Sequence, residues 1–242
     1  MTAFAPEQSF STLTLGGVPV TLDCSGALWL EQARTLVFSD LHFEKGSSYG
    51  ARGLFLPPFD TRQTLKNMAS VIAQFQPQRI ISLGDAFHDG EAEGRMAQED
   101  AAQLEELTTA HEWVWILGNH DPEPPARFGG QAVDRVEIGG LGFSHAPEAE
   151  GAWQVVGHMH PAAKVAKTGR TVRRRCFVTD GTRIILPSFG AYTGGLNVLD
   201  DAYRPFFAIK PDVWMLGKTR VYQVPRAALR RDGINRVYAG KR

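Results

Sequence analysis

The sequence predicts a single α/β domain, residues 1–242, in which two β-sheets pack together with helices outside. Three observations lead to this prediction. Short apolar runs that end in glycine or a polar residue recur along the chain and are typical of interior strands. The first half alternates such runs with helical segments, whereas strands and glycine turns follow one another from Val133 to Leu186. A strand–helix half followed by a strand-rich half favours two packed sheets, and 242 residues suit one large domain.

The opening elements follow from local sequence. Val18 to Leu22 and Ala27 to Leu30 are apolar segments separated by the turn sequence D-C-S-G, so they predict a hairpin. This hairpin precedes an apolar strand, T-L-V-F-S, that ends in Asp40. Residues 43–58 contain three glycines and two prolines without a sustained period, and they predict a long loop.

Helices and strands alternate in the next stretch. Asp60 or Thr61 caps a predicted helix that runs to about Phe75 with one apolar face. The strand R-I-I-S-L follows, and the acidic segment from Glu91 to Glu112 predicts a solvated helix before the strand V-W-I-L. Farther along the chain, residues 187–195 form a turn-rich segment whose role the sequence does not indicate.

The hydrophobic pattern, the cysteines and the charge of the sequence limit the cellular location and the partners that the protein can have. No apolar stretch approaches the roughly 18 residues of a membrane span, the N-terminus lacks the features of a secretory signal, and Cys24 and Cys176 lie far apart. We therefore expect a soluble protein of the reducing cytoplasm with no membrane partner. The net charge of zero hides an asymmetry, since residues 1–160 carry 9 Lys+Arg against 21 Asp+Glu and residues 161–242 carry 17 against 5. The basic half suits a polyanion, or it is a solvated hairpin that neutralises the acidic half.

Five predicted strands end in residues that commonly bind metal ions. The motifs, in chain order, are D-x-H at Asp40–His42, G-D at Gly84–Asp85, G-N-H-D at Gly118–Asp121, His145, and G-H-x-H at Gly157–His160. Ligands bind beyond the carboxyl ends of strands in open α/β sheets, so these residues are expected to line one site. Carboxylate, imidazole and amide ligands without thiolate suit manganese, iron or zinc.

In this order the five motifs resemble those of the calcineurin-like metallophosphoesterase superfamily. The resemblance implies a four-layer α/β/β/α sandwich, two mixed β-sheets flanked by helices, and two divalent metal ions. One ion would be bound by Asp40, His42 and His160, the other by Asn119, His145 and His158, and Asp85 would bridge them. A bridging hydroxide would attack phosphorus in line. His120, oriented by Asp121, would then assist the leaving oxygen.

Further stretches are similar to the bacterial DNA-ligase-associated metallophosphoesterases. They are S-D-L-H-F-E-K-G-S-S-Y, L-P-P-F-D-T-R, G-D-A-F-H-D and F-G-A-Y-T-G-G-L-N-V, and the similarity extends from about Gly16 to near residue 210. That resemblance implies a manganese-dependent phosphodiesterase or endonuclease of DNA repair that acts on nucleic acid, with DNA as the expected substrate. It also implies association with an ATP-dependent DNA ligase, a helicase and a nuclease.

Several residues near the motifs are candidate substrate contacts. Lys45 and Arg52 lie in the predicted loop beside the site, where they contact phosphate or are simply solvated cations. His88 follows Asp85 and has either a substrate-binding role or plain loop polarity, and Asn119 is a candidate for substrate as well as metal.

Two other functions use the same residues. A phosphatase or pyrophosphatase acting on a small nucleotide would need a closed cap, and only about 33 residues separate Asp85 from Asn119. A catalytically silent scaffold for protein partners would have lost ligands or the histidine at position 120, whereas this chain carries all of them. The sequence therefore favours a phosphodiesterase.

Overall fold

The computed structural model describes residues 10–54, 56–123, 126–148, 151, 153–167, 169–207 and 209–232. The first sheet contains β1 (Phe10–Leu15), β2 (Val18–Asp23), β3 (Leu28–Leu30), β4 (Thr35–Phe38), β5 (Arg79–Leu83), β6 (Glu112–Ile116) and β7 (Gln131–Val133). Its strands lie in chain order, antiparallel from β1 to β4 and parallel from β4 to β7.

The second sheet is built from the remaining strands. They are β8 (Arg135–Ile138), β9 (Leu141–Ser144), β10 (Gln154–Val156), β11 (Pro161–Lys167), β12 (Arg170–Thr179), β13 (Arg183–Ile185), β14 (Leu196–Asn197), β15 (Asp212–Leu216) and β16 (Val221–Val224). The order is β14-β11-β12-β13-β10-β9-β8, and β15 pairs with both β12 and β16. The sheet is mixed, because β9, β10 and β13 are parallel whereas β11 and β12 are antiparallel. Two mixed sheets confirm the predicted fold.

Successive residues of each strand point to opposite faces of the sheet, and this alternation divides the core into layers. Leu36 and Ile80 on one face of the first sheet pack against the helices, and their neighbours Val37 and Ile81 pack between the two sheets. The helices are α1 (Lys45–Ala51), α2 (Asp60–Phe75), α3 (Ala92–Arg95) and α4 (Gln98–Ala110). Each large side chain that α2 buries, such as Leu65, contributes about 1.5–3 kcal/mol of transfer free energy.

The outer face of the second sheet is covered by other elements than the outer face of the first sheet, which packs against the helices. Its apolar side chains pack against Tyr203, the last residue of a 3₁₀ turn (Asp201–Tyr203), and against Phe207 in the loop that follows. The four-layer prediction places helices here, but Pro205 and Pro211 interrupt the sequence, and the described residues between β14 and β15 contain no α-helix. None of the described helices has the length and apolar character that crossing a membrane requires.

The local structure differs from the sequence predictions in four respects. The predicted 43–58 loop contains α1, the acidic segment is divided into α3 and α4, and β1 was not predicted. The cap of α2 is also wrong, because its N-cap position is Phe59. Asp60 Oδ2 instead accepts a hydrogen bond from the Gly46 amide at 2.9 Å, and Thr61 Oγ1 accepts one from the Glu44 amide at 2.8 Å. These contacts hold the start of α1, whose glycines and serines have low intrinsic helix propensity.

Candidate metal centre

The predicted ligands lie together where five strands end. Asp40 and His42 follow β4, Asp85 follows β5, Asn119 follows β6, His145 follows β9, and His158 and His160 follow β10. Both sheets therefore supply side chains to one centre, as the carboxyl ends of parallel strands do in α/β proteins.

One set of donor atoms comprises Asp40, His42, Asp85 and His160, all within 4.8 Å of one another. His42 Nε2 lies 3.4 Å from His160 Nε2 and 3.8 Å from Asp85 Oδ2. His160 Nε2 is also 3.0 Å from Asp40 Oδ1. Two imidazoles and two carboxylates facing one point form a donor set suited to a divalent ion of the manganese, iron or zinc type.

A second set comprises Asp85, His145 and His158. His145 Nε2 lies 3.4 Å from Asp85 Oδ1, 3.1 Å from His158 Nδ1 and 3.1 Å from Asn119 Oδ1. The two carboxylate oxygens of Asp85 therefore face different donor sets, Oδ2 towards His42 and Oδ1 towards His145. This is the arrangement that a carboxylate bridging two ions requires.

The electrostatic environment favours cations. Asp40 and Asp85 are 0% and 2% exposed. Burial is the largest single effect and would raise the pKa of each carboxyl. Hydrogen bonds and nearby positive charge, chiefly from His160 at Asp40 and from His145 at Asp85, together lower both pKa values. Burial would lower the pKa of His145, yet its hydrogen bond to Asp85 and the charges of both carboxylates raise that pKa to about 9. Positive charge is thus stabilised here, so the donor set fits divalent ions.

The pKa of another predicted ligand, His42, is lowered instead of raised. Desolvation lowers the pKa of His42 to about 3, so its imidazole is neutral at physiological pH. A neutral imidazole offers a lone pair to a metal without first losing a proton.

Most of the predicted ligands have an uncommon backbone conformation. Asp40, His42, Asp85, His158 and His160 all have positive φ, between 44° and 66°. Such residues cost about 1–3 kcal/mol each and persist only where the surrounding structure holds them. Here the amide of His42 donates to the Asp85 carbonyl at 2.9 Å, and the amide of His158 donates to Asp40 Oδ2 at 3.1 Å. The ligand loops therefore hold one another in place.

The glycines of two motifs permit this close packing. A Cβ atom at Gly118 would lie 2.6 Å from Asp121 Oδ1 and closer still to Asp85, and one at Gly157 would lie 2.7 Å from Asp40 Oδ2. Any side chain at either position would displace a ligand-bearing loop.

His120 lies on the exposed rim of the centre, and its orientation differs from the prediction. Its Nδ1 donates to the His88 carbonyl at 2.8 Å, since a carbonyl can only accept, and this contact leaves Nε2 for substrate. The prediction that Asp121 orients His120 is wrong. Asp121 Oδ2 instead accepts from the amides of Ala86 and Phe87, at 2.8 and 3.0 Å, and so fixes the loop that carries Asp85.

His88 connects several rings beside the centre. Its ring stacks on that of His120, with centroids 5.2 Å apart, and on that of Tyr49, with centroids 6.0 Å apart. Its Nδ1 also lies 3.4 Å from Nδ1 of His42. Sequence reasoning did not identify Tyr49, because nothing local indicates that α1 carries it to this site.

The two predicted loop cations differ in their surroundings. Lys45 begins α1 and is half-buried; burial lowers the pKa of its ammonium group, while the carboxylates of Asp60, Asp85 and Asp40 oppose that shift. Lys45 therefore lies within electrostatic reach of the centre. Arg52, at the C-terminal end of α1, is exposed, and its positive charge contributes to lowering the pKa of His88.

The turn-rich segment 187–195 supports the ligand loops through its backbone. The amides of Phe189 and Gly190 donate to the carbonyls of Ser39 and Asp40, at 2.7 and 3.2 Å. Arg175 Nη1 in turn donates to the carbonyls of Ser188, Phe189 and Gly190. Arg175 is half-buried and belongs to the basic half of the chain, but its guanidinium group holds the segment and is not free to bind a polyanion.

Metal removal is expected to lower the melting temperature. The donors converge only in the folded chain, so an ion at a hundred times its Kd stabilises the fold by about 2.7 kcal/mol. For 242 residues this corresponds to a shift of roughly 5–10 °C. Differential scanning calorimetry of chelator-stripped protein, with and without added Mn²⁺, measures the shift. An Asp85→Asn variant should lose most of it, and an unchanged melting temperature on stripping would contradict the ligand assignment.

Comparison with known proteins supports the same chemistry. A model of the calcineurin-like phosphoesterase family matches residues 33–186. Comparison with curated proteins gives no significant match. Among solved structures, a nuclease, MPE of Pseudomonas putida, has 25% identity and a TM-score of 0.69, over 89% of this chain and 100% of that chain.

Two other structures are less similar. Yfce, a phosphoesterase from E. coli, has 16% identity and a TM-score of 0.40, over 78% of this chain and 97% of that chain. AQ665 of Aquifex aeolicus, a protein of unknown function, has 17% identity and a TM-score of 0.36, over 52% and 77%. The family match covers more than half of the sequence and spans all five ligand motifs. The chain therefore belongs to the calcineurin-like phosphoesterase family and is a metal-dependent hydrolase.

Proposed function

We propose that the protein is a dinuclear phosphodiesterase that hydrolyses phosphodiester bonds in nucleic acid, with DNA as the expected polymer. The observation that carries the proposal is the position of Asp85, whose two oxygens face two separate donor sets. In this assignment Asp40, His42 and His160 hold one ion and Asn119, His145 and His158 hold the other.

Two divalent ions, when bound, supply a nucleophilic water near neutral pH and neutralise charge on the phosphoryl oxygens. Manganese is the ion we propose, with iron and zinc as alternatives that have the same ligand preferences. His145 Nδ1 donates to the carbonyl of Leu83 at 3.2 Å, which directs its Nε2 towards Asp85 and fixes the donor orientation.

The protein supplies the proton for the leaving group. The His88 carbonyl accepts the Nδ1–H of His120, so the ring delivers a proton from Nε2 to the departing oxygen only in its doubly protonated form. It is then left as the neutral Nδ1–H tautomer. The ammonium group of Lys45, near the same carboxylates, contributes positive charge where the phosphate binds. Asn119 lies on the exposed rim and is proposed to contact the phosphate as well.

A polymeric substrate is supported by the open rim and by the comparison. Asn119, His120 and His158 are exposed, so the site is accessible from outside. The segment between Asp85 and Asn119 folds as α3, α4 and β6. Because α4 packs with α2 against the first sheet, this segment does not form a cap over the site. The similar P. putida structure, matched over its full length, is a nuclease. A role in DNA repair with a ligase and a helicase stays a prediction from sequence resemblance.

The expected result with small substrates is preferential hydrolysis of a diester. Metal-stripped protein with added Mn²⁺ should cleave bis-p-nitrophenyl phosphate with a higher kcat/KM than p-nitrophenyl phosphate, because a second ester group fits an open site. Release of nitrophenolate is the measurement, and Fe²⁺ and Zn²⁺ replace Mn²⁺ in parallel assays. Preference for the monoester would favour a small-nucleotide phosphatase, and no turnover with any of these ions would favour the silent scaffold.

A further inference from the structure

Tyr49, on α1, is the outermost of three stacked rings beside the metal centre. Its ring stacks on that of His88, with centroids 6.0 Å apart and an angle of 26° between the planes. The ring of His88 stacks in turn on that of His120, with centroids 5.2 Å apart and an angle of 22°. The three rings therefore form a row that begins at the group proposed to protonate the leaving oxygen and leads away from it.

The surroundings of Tyr49 are not those of a core side chain. The residue is partly exposed, and it is not among the apolar side chains that form the core or pack against it. Within the described ranges its ring contacts one other ring, that of His88, and its hydroxyl group makes no hydrogen bond. Tyr203, by contrast, is buried and donates its hydroxyl to the Met159 carbonyl at 3.1 Å. The ring of Tyr49 is therefore accessible to a flat partner from outside.

The end of α1 groups this ring with two exposed side chains. The Tyr49 carbonyl accepts hydrogen bonds from the amides of Arg52 and Leu54, at 3.1 and 2.9 Å, and both of these residues are exposed. In the part of the chain that the structure describes, the Arg52 side chain makes no hydrogen bond or ion pair. Proteins that bind nucleic-acid strands combine aromatic rings, on which bases stack, with cations that attract the phosphates. Tyr49 and Arg52 supply one of each.

We propose that Tyr49 stacks against a nucleobase of the substrate next to the bond that is cut, on the side of the leaving strand. The inference deepens the proposed function and rests on it. His120 marks that side, because it gives its proton to the leaving oxygen, and Tyr49 lies two ring contacts beyond His120. A nucleotide spans roughly 3.4 Å of the axis in stacked DNA, so the first nucleotides of the leaving strand are within reach of the ring. Every base has a π-face, so this contact adds affinity without selecting a sequence.

The test is cleavage of a labelled single-stranded oligonucleotide that contains one abasic tetrahydrofuran residue. The full chain is assayed with Mn²⁺, and cleavage at each bond is compared on a sequencing gel with that of the same strand carrying a normal base. In the wild-type protein, cleavage should fall by about tenfold at the bond whose leaving-side base is missing, the effect of losing one base–aromatic stack. Distant bonds of the same strand should be cut normally.

Removing the ring from the protein should abolish this positional effect. Tyr49→Leu keeps an apolar side chain but has no π-face, so cleavage of the intact strand should fall by about tenfold at all bonds. The missing base should then cause no further loss, because the contact is already absent. Tyr49→Phe should behave as the wild type, since the hydroxyl makes no hydrogen bond in the described part of the chain.

The matched control replaces another exposed tyrosine. Tyr222 lies on β16, a strand that carries none of the predicted ligands, and the guanidinium carbon of Arg220 lies 4.7 Å from the centroid of its ring. Tyr222→Leu should cut both strands and hydrolyse bis-p-nitrophenyl phosphate at the wild-type rates.

The outcomes separate the inference from the proposed function. Wild-type cleavage that is uniform across the abasic residue overturns the inference, and this measurement needs no variant. A tenfold response to the missing base that persists in Tyr49→Leu also overturns it, because the ring would then act only by supporting His88. A wild-type protein that hydrolyses bis-p-nitrophenyl phosphate but does not cut the oligonucleotide removes nucleic acid as substrate, and with it the inference. Failure to hydrolyse the small diester overturns the proposed function itself.

Discussion

Replacing Asp85 with asparagine is expected to reduce kcat/KM for bis-p-nitrophenyl phosphate by about 10³-fold or more. Asparagine is nearly the same size, but it is neutral and has one oxygen instead of two, so it cannot serve both donor sets. Losing several kcal/mol of charge stabilisation corresponds to a rate loss of roughly this size. The expected metal content falls from two ions per chain to one or none, as measured by inductively coupled plasma mass spectrometry.

A matched substitution separates the bridging role from a general loss of charge. Asp134 is an exposed aspartate between β7 and β8, remote in sequence from every ligand motif. Asp134→Asn should keep both ions and wild-type turnover. If Asp85→Asn also kept two ions and full activity, Asp85 would not be the shared ligand.

Replacing His120 with alanine is expected to reduce cleavage of DNA strongly while leaving the metal content intact. His120 lies on the rim with Nδ1 bound to the His88 carbonyl, and it belongs to neither set that contains Asp85. The alkoxide that leaves from DNA needs a proton, so the loss should be roughly 10²–10⁴-fold. Nitrophenolate leaves without protonation, so hydrolysis of bis-p-nitrophenyl phosphate should fall by less than about tenfold.

The contrast between the two substrates is the measurement that identifies the role. His111→Ala is the matched control, because His111 ends α4 and its Nδ1 donates to the Leu107 carbonyl. That variant should cleave both substrates normally. Equal losses on DNA and on the small diester in His120→Ala would indicate that His120 binds phosphate and does not protonate the leaving group.

The ligands could be identified from sequence because each carries its own signal. Asp40, Asp85 and His145 are polar residues at the ends of apolar strands, a local pattern that is visible without any tertiary contact. Their grouping into two sets came from family resemblance, and the distances around Asp85 agree with that grouping.

The supporting residues could not be identified because their roles depend on partners elsewhere in the chain. Arg175 contacts carbonyls 13 to 15 residues away, and Tyr49 reaches His88 only because Asp60 and Thr61 hold the start of α1. The orientation of His120 depends on a backbone carbonyl, that of His88, which the sequence does not distinguish from any other. Positive φ at the ligands is likewise a product of the packed loops.

The division of the ligands between two sheets has a consequence during protein synthesis. A ribosome that has made the chain as far as β7 has produced Asp40, Asp85 and Asn119, but not the three later histidines of the two donor sets. The segment 187–195, which braces the loop of Asp40, is translated later still. Complete donor sets therefore exist only after most of the chain has emerged and the sheets have joined, so an unfinished chain has no complete hydrolase site.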